Sequence, residues 1–271
     1  MLFQEQVRKV KQAAPKLAAT TNEQRNAALT AFREALLQHQ AEIFEANKQD
    51  LAQAEADGVS GPVRKRLKFD EGKLRDVTAG ISDLTKMEDP LFQTQFAREL
   101  DEGLVLKRVT CPIGVIGVIF EARPDALVQI SALCIKSGNC VILKGGREAL
   151  RSNKKLFDII HEAIIDAGLP ADSMMQLEAR SEINELLEWH ESVDLLIPRG
   201  SNAFVQYIMN HTKIPVMGHA DGICHIYVDK DADLAKAVPI IVDAKTQYVS
   251  ACNTVETLLV HEAIKANCFQ C

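Results

Sequence analysis

Cys252 stands in Tyr248-Val-Ser-Ala-Cys-Asn-Thr-Val-Glu-Thr-Leu-Leu-Val-His261, a thiol set just before a strand-like run. Ser250, Asn253 and Thr254 make its turn polar, so donors and solvent are within reach of a thiolate, whereas a cysteine inside an apolar run would be held neutral and inert. A lone cysteine is more often a core residue. Taken by itself, the turn leaves nucleophile and core residue both open.

Other residues suit anion binding. Lys144 ends an apolar run and is followed by Gly145, Gly146 and Arg147, a cation and a flexible turn at the carboxyl edge of an expected parallel sheet, where ligands bind in such folds. A nucleotide ribose is the natural partner; the alternative is a solvent-exposed arginine at a helix entry. Gly200-Ser201-Asn202 follows the apolar run 194–197 and opens a helix, so its N–H groups can face a pyrophosphate. Neither it nor Gly114-Val-Ile-Gly117 is the G-x-G-x-x-G fingerprint, and an ordinary helix cap fits Gly200-Ser201-Asn202 as well. Arg123 and Arg199 sit where strands end; guanidinium forks there match phosphate or carboxylate, or tie loops together. His219 and His225 near Cys224 fit no zinc spacing, and Cys268-Phe-Gln-Cys271 has no βαβ context, so no metal site is expected.

These residues need elements to position them. Thr21-Asn-Glu-Gln24 reads as a capping box, after which Leu29, Phe32, Leu36 and Ile43 follow at helical spacing toward Gly58 as one long amphipathic helix. Gly58-Val-Ser-Gly-Pro62 breaks it. A further helix is expected from Glu71 to about Lys86, then an extended segment over 104–109 within an arm near 99–111. From Pro112 the pattern changes to apolar strands near 114–119, 140–144, 173–177, 193–197 and 215–217. These alternate with helices near 125–136, 153–167, 182–188 and 202–210. Continuous apolar strands separated by helices predict a doubly wound α/β fold with a parallel sheet covered on both faces. A strand at 224–228, a helix over 231–245 and a strand at 254–260 complete the pattern.

Composition bounds the function. The chain has 271 residues, 47% of them hydrophobic, enough for one large or two modest cores. A net charge of −6 without a basic stripe argues against nucleic acid as a partner. The nearest basic cluster, Arg64-Lys-Arg-Leu-Lys68, reads as the solvated side of a helix end. No apolar run reaches membrane-spanning length, and the polar Met1–Lys9 stretch is no signal peptide, so a cytoplasmic address is expected. The seven cysteines, with Cys134, Cys140 and Cys224 in apolar strands, read as reduced.

Four stretches in order carry a resemblance: the Cys252 segment; Pro112-Ile-Gly-Val-Ile-Gly-Val-Ile-Phe-Glu-Ala-Arg-Pro-Asp125; Ser137-Gly-Asn-Cys-Val-Ile-Leu-Lys-Gly-Gly-Arg-Glu148; and Ile197-Pro-Arg-Gly-Ser-Asn202 followed by Val216-Met-Gly-His-Ala-Asp-Gly-Ile-Cys-His225. The chain resembles the gamma-glutamyl phosphate reductases, the proline-pathway branch of the aldehyde dehydrogenase superfamily, from its N-terminus to about Ala266. The resemblance implies an NADPH-binding domain over residues 1–247 and the start of a catalytic domain over 248–271. It makes Cys252 the nucleophile, with Asn253 and nearby N–H groups as oxyanion donors. Lys144, Gly145, Arg147, Gly200 and Ser201 become cofactor-binding residues, and Arg123 and Arg199 become substrate-binding residues for L-glutamyl 5-phosphate.

In NAD-using relatives, the resemblance further implies, a glutamate three residues after the lysine holds the ribose hydroxyls; here Arg147 would instead attract a 2′-phosphate. The superfamily's general-base glutamate is absent from Gly218-His-Ala-Asp-Gly222. A base activating water would hydrolyse the thioester that a reductase must pass to hydride. Members of the family are longer, so C-terminal truncation is expected, with Asn267–Cys271 departing from the pattern. A homo-oligomer is expected of the full-length form.

Overall fold

The computed structural model describes residues 2–178, 182–218, 222–247, 249 and 253–268. Five helices come first: α1 (Leu2–Ala18), α2 (Asn22–Gln38), α3 (Gln40–Ala56), α4 (Gly61–Leu67) and α5 (Glu71–Lys86). A hairpin, β1 (Thr94–Asp101) and β2 (Leu104–Val109), leads to the alternating region: β3 (Val115–Ile119), α6 (Pro124–Lys136), β4 (Cys140–Lys144), α7 (Leu150–Asp166), β5 (Met174–Leu177), α8 (Glu182–Glu188), β6 (Leu195–Pro198) and α9 (Asn202–Asn210). Then follow β7 (Cys224–Val228), α10 (Leu234–Thr246) and β8 (Val255–Val260).

The capping box forms as the sequence predicts: Gln24 N–H donates to Thr21 Oγ1 at 3.2 Å, and Thr21 N–H donates to Gln24 Oε1 at 2.8 Å. The expected single helix to Gly58 is two, divided at His39, whose N–H closes α2 on the Ala35 carbonyl. Leu29, Phe32, Leu36 and Ile43 are all fully buried. Leu36 and Ile43 lie roughly two helical turns apart, a spacing that an unbroken helix satisfies equally, so periodicity does not reveal the division. Helix α1, unassigned from sequence, buries Val7, Val10, Ala14 and Leu17 on one stripe and lies against β3, β4 and β5. Strand β1, paired antiparallel with β2, is likewise unmarked in the sequence; every residue of both strands is exposed, so no alternation signals it.

Four parallel strands form the sheet in the order β5-β4-β3-β6. Every residue of β3 and β4 is buried, which is why both read as unbroken apolar runs. The chain steps from β3 through β4 to β5, then returns across β3 to β6. With right-handed crossovers this reversal puts α6 and α7 on one face and α8 and α9 on the other. The fold is thus the expected doubly wound α/β sheet. The expected strand at 215–217 is reduced to a single bridge, Leu196 to Val216. Cys134 lies on α6 rather than in a strand, and Cys224 is half-buried.

A buried polar network joins α3, α4 and α7. Ala149 precedes α7 and has no side chain able to cap it. Asp50 of α3 supplies the cap from outside, accepting from Ser152 N–H and Ser152 Oγ, each at 2.7 Å, and from Arg151 N–H at 3.3 Å. Asn47 accepts from Phe69 N–H at 2.8 Å and donates to the Leu67 carbonyl at 2.9 Å and to Ser152 Oγ at 3.1 Å. Ala54, Leu67 and Ala149 pack together beside this network.

The chain divides into two compact units, Met1–Gly218 and His219–Cys271. Strand β7 takes its parallel partner from β8. The second unit is the β7-α10-β8 crossover, with Asp233 capping α10 through Ala235 N–H at 3.0 Å. Among the described residues, no helix is long and apolar enough to cross a membrane.

Candidate active site and cofactor pocket

The carboxyl ends of β3, β4, β5 and β6 open into a cavity of about 840 Å³. Ligands bind outside the carboxyl ends of such sheets, at the point where strand order reverses; here that point is between β3 and β6. Backbone bonds tie the rim: Phe120 N–H donates to the Lys144 carbonyl at 2.9 Å, and Arg199 N–H donates to the Ile119 carbonyl at 2.7 Å. These hold the residues following β3, β4 and β6 in register.

Lys144, Arg147, Arg199 and Arg66 line the cavity, with Arg66 brought in by α4. None of the three arginines has an ion-pair partner among the described residues. Lys144 is only 5% exposed, and its Nζ donates to the Gly145 carbonyl at 2.7 Å. Burial lowers its pKa, while Glu182 and Glu148 pull it back up. Val59, Val63, Ile183 and Phe204 add apolar wall, and Glu121, Glu148 and Glu178 add carboxylates. An apolar wall that could take a flat base, carboxylates that could take hydroxyls and cations that could take phosphates are the chemistry a dinucleotide needs.

Close packing defines the glycines. A side chain at Gly145 would collide with Asn153 Nδ2. The Asn153 carboxamide is 1% exposed, and neither its Nδ2 nor its Oδ1 has a hydrogen-bond partner among the described residues. A Cβ at Gly200 would lie 2.9 Å from Phe204 Cδ1 and 3.3 Å from Glu121 Oε1. Ser201 caps α9 by accepting from Phe204 N–H at 3.3 Å.

Of the residues singled out in the sequence, Lys144, Gly145, Arg147 and Arg199 come together on the cavity wall, and Gly200 and Ser201 lie between two of its lining residues, Arg199 and Phe204. Arg123 does not line it; it is exposed at the start of α6, its N–H donating to the Glu121 carbonyl at 2.6 Å. Asn253 is exposed in the turn before β8. Cys252 lies outside the described residues, as do His219 and Cys271. Sequence reasoning missed Arg66, Glu121, Glu148, Glu178 and Phe204. The one available signal was the basic run 64–68, read as a solvated face.

The chain belongs to the aldehyde dehydrogenase family, whose sequence model matches residues 3–270. It is 56% identical over 264 residues to the gamma-glutamyl phosphate reductase of Pelotomaculum thermopropionicum, covering 97% of this chain and 61% of that relative. Among solved structures it resembles the gamma-glutamyl phosphate reductase of Thermotoga maritima, with a TM-score of 0.92 at 36% identity, covering 96% of this chain and 64% of that one. The corresponding enzyme of Saccharomyces cerevisiae gives a TM-score of 0.76 at 42% identity, covering 98% of this chain and 69% of that one. The chain thus spans about three-fifths of the length of the curated relatives it matches.

Proposed function

We propose that the cavity binds NADPH. In a protein spanning the relatives' whole length, we further propose that this chain supplies the cofactor pocket and the nucleophile for reduction of L-glutamyl 5-phosphate to glutamate 5-semialdehyde, a step of proline biosynthesis. The observation that carries the cofactor reading is the convergence of Lys144 with Arg147 and Arg66, neither of which has an ion-pair partner among the described residues, at the carboxyl edge of the sheet. Lys144 and Arg147 would hold the ribose and its 2′-phosphate, Ile183 and Phe204 would offer apolar surface to the base, and Gly200 and Ser201 at the start of α9 would offer N–H groups to the pyrophosphate.

The Cys252 thiolate attacks the acyl carbon; the C–O bond to phosphate breaks and a thioester forms on sulfur. Asn253 and neighbouring N–H groups stabilise the oxyanion, and Arg123 and Arg199 pair with the phosphate and carboxylate of the substrate. NADPH supplies the hydride when bound. Collapse of the resulting thiohemiacetal expels the thiolate and releases the aldehyde. The names of the relatives and the absence of the superfamily's general-base glutamate from Gly218–Gly222 support a reductase over an oxidising enzyme. A cytoplasmic address and a homo-oligomer in the longer form belong to the same reading.

A second reading is favoured by the share of the relatives' length that the chain spans: residues 1–271 by themselves bind nucleotide without turnover. Both readings are tested by phosphate-dependent reduction of NADP⁺ by the semialdehyde. A form of relatives' length should be active and lose activity in Cys252→Ser while retaining NADPH binding. Met1–Cys271 alone should bind NADPH and show no turnover. Comparable activity in Cys252→Ser would remove the nucleophile assignment, and turnover by Met1–Cys271 would remove the second reading.

A further inference from the structure

We infer that Arg66, on a helix outside the parallel sheet, is a specificity-determining residue that grips the cofactor's 2′-phosphate together with Arg147. This rests on the dinucleotide reading above and adds to it a residue from α4.

The basic run Arg64–Lys68 is not a uniform solvated face. Arg64 pairs with Glu55 at 3.1 Å and Lys68 with Asp70 at 2.8 Å, while Lys65 is exposed and outside the cavity. Arg66 alone of the four basic residues turns into the cavity, half-buried and without an ion-pair partner among the described residues. A partly desolvated guanidinium without a counter-charge is unfavourable unless an anion meets it.

Arg147 lines the same cavity from the turn after β4. A phosphate monoester carries close to two negative charges near neutrality, so one arginine leaves part of that charge unmatched and a pair does not. Glu148 in the same wall sharpens this need, because it repels an anion held by one cation only.

The two arginines are registered by buried structure. The Leu67 carbonyl and Phe69 N–H, immediately after Arg66, are both held by Asn47. Asn47 also bonds Ser152 in the first turn of α7, which follows Arg147 closely in the chain. Leu67 and Ala149 belong to one buried apolar cluster with Ala54. The distance between α4 and the Arg147 turn is therefore set by side chains that water does not reach. Val59 and Val63 supply apolar surface beside Arg66.

The test titrates Met1–Cys271 calorimetrically with 2′,5′-ADP and 5′-AMP, and with NADPH and NADH. Arg66→Gln should weaken 2′,5′-ADP and NADPH by about tenfold or more and change 5′-AMP and NADH by less than about twofold. Lys65→Gln makes the same charge change off the cavity and should leave all four within about twofold. Arg66→Lys keeps the charge without the fork and should fall between wild type and Arg66→Gln, which also answers a misfolded glutamine variant.

Equal weakening of NADPH and NADH by Arg66→Gln, or no weakening, would overturn the inference. If wild type favours NADPH and Arg147→Gln removes the preference while Arg66→Gln leaves it, the cofactor reading stands and Arg66 has no part in it. If wild type binds neither NADPH nor 2′,5′-ADP, the cofactor reading itself fails and the inference falls with it.

Discussion

Replacing Asp50 with alanine should uncouple α3 from α7 and loosen the wall of the cavity at the sheet's carboxyl edge with it. Asp50 is 2% exposed and accepts from the N–H groups of Arg151 and Ser152, the second and third residues of α7, and from the Ser152 hydroxyl. It does from another helix what an N-cap does locally, and its negative charge lies at the positive end of the α7 dipole. Loss of a cap costs about 1 kcal/mol. A buried hydroxyl left without its acceptor adds roughly 1–3 kcal/mol. The Arg151 guanidinium contact, at 3.3 Å with Arg151 half-exposed, contributes little.

The expected total for Asp50→Ala is about 2–4 kcal/mol, and about half that for Asp50→Asn, which retains one acceptor oxygen. Urea unfolding followed by the single tryptophan, Trp189, which packs against the core of the first unit, reads this directly. The melting temperature should fall by about 5–12 °C. Asp57→Ala, on an exposed residue just past α3, should stay within about 0.5 kcal/mol. NADPH affinity should fall with stability, because the Arg147 turn leads directly into the uncapped end of α7. A cost below about 0.5 kcal/mol for Asp50→Ala would refute capping from a distance as the link between α3 and α7.

Burial pushes the thiols of Cys134 and Cys140 up to about 12, so their thiolate fraction near neutrality is roughly a thousandfold below that of an ordinary cysteine. Maleimide labelling read by peptide mass should therefore modify exposed Cys111 quickly and Cys134 and Cys140 only after urea is added; prompt native labelling of either would contradict their burial. The lowered pKa of Lys144 means that the folded chain holds this proton less tightly than the unfolded chain does. Its cost to stability is thus fully present below the folded-state pKa and is relieved as pH rises through that value. Lys144→Met should be more urea-stable than wild type near neutrality, with the gap closing at alkaline pH; a gap independent of pH would show that burial of the charge is not its origin.

What the sequence determined by itself is what short-range pattern encodes. The Thr21–Gln24 cap, the buried runs at β3 and β4 and the helix Glu182–Glu188 all depend on residues within a few positions of one another, and all form as that pattern requires. Local pattern is equally satisfied by one helix or two across His39, because the apolar stripe keeps its phase. It gives no sign of β1, whose two faces meet the same solvent. The tertiary structure decided the rest through contacts between residues far apart in the chain. Asp50 caps a helix that begins a hundred residues later, and β7 takes its partner from β8 across the length of α10. The basic run 64–68 shows the limit most plainly. An arginine facing solvent and an arginine facing a cavity are the same letter, and only the docking of α4 on α3 distinguishes Arg66 from its neighbours.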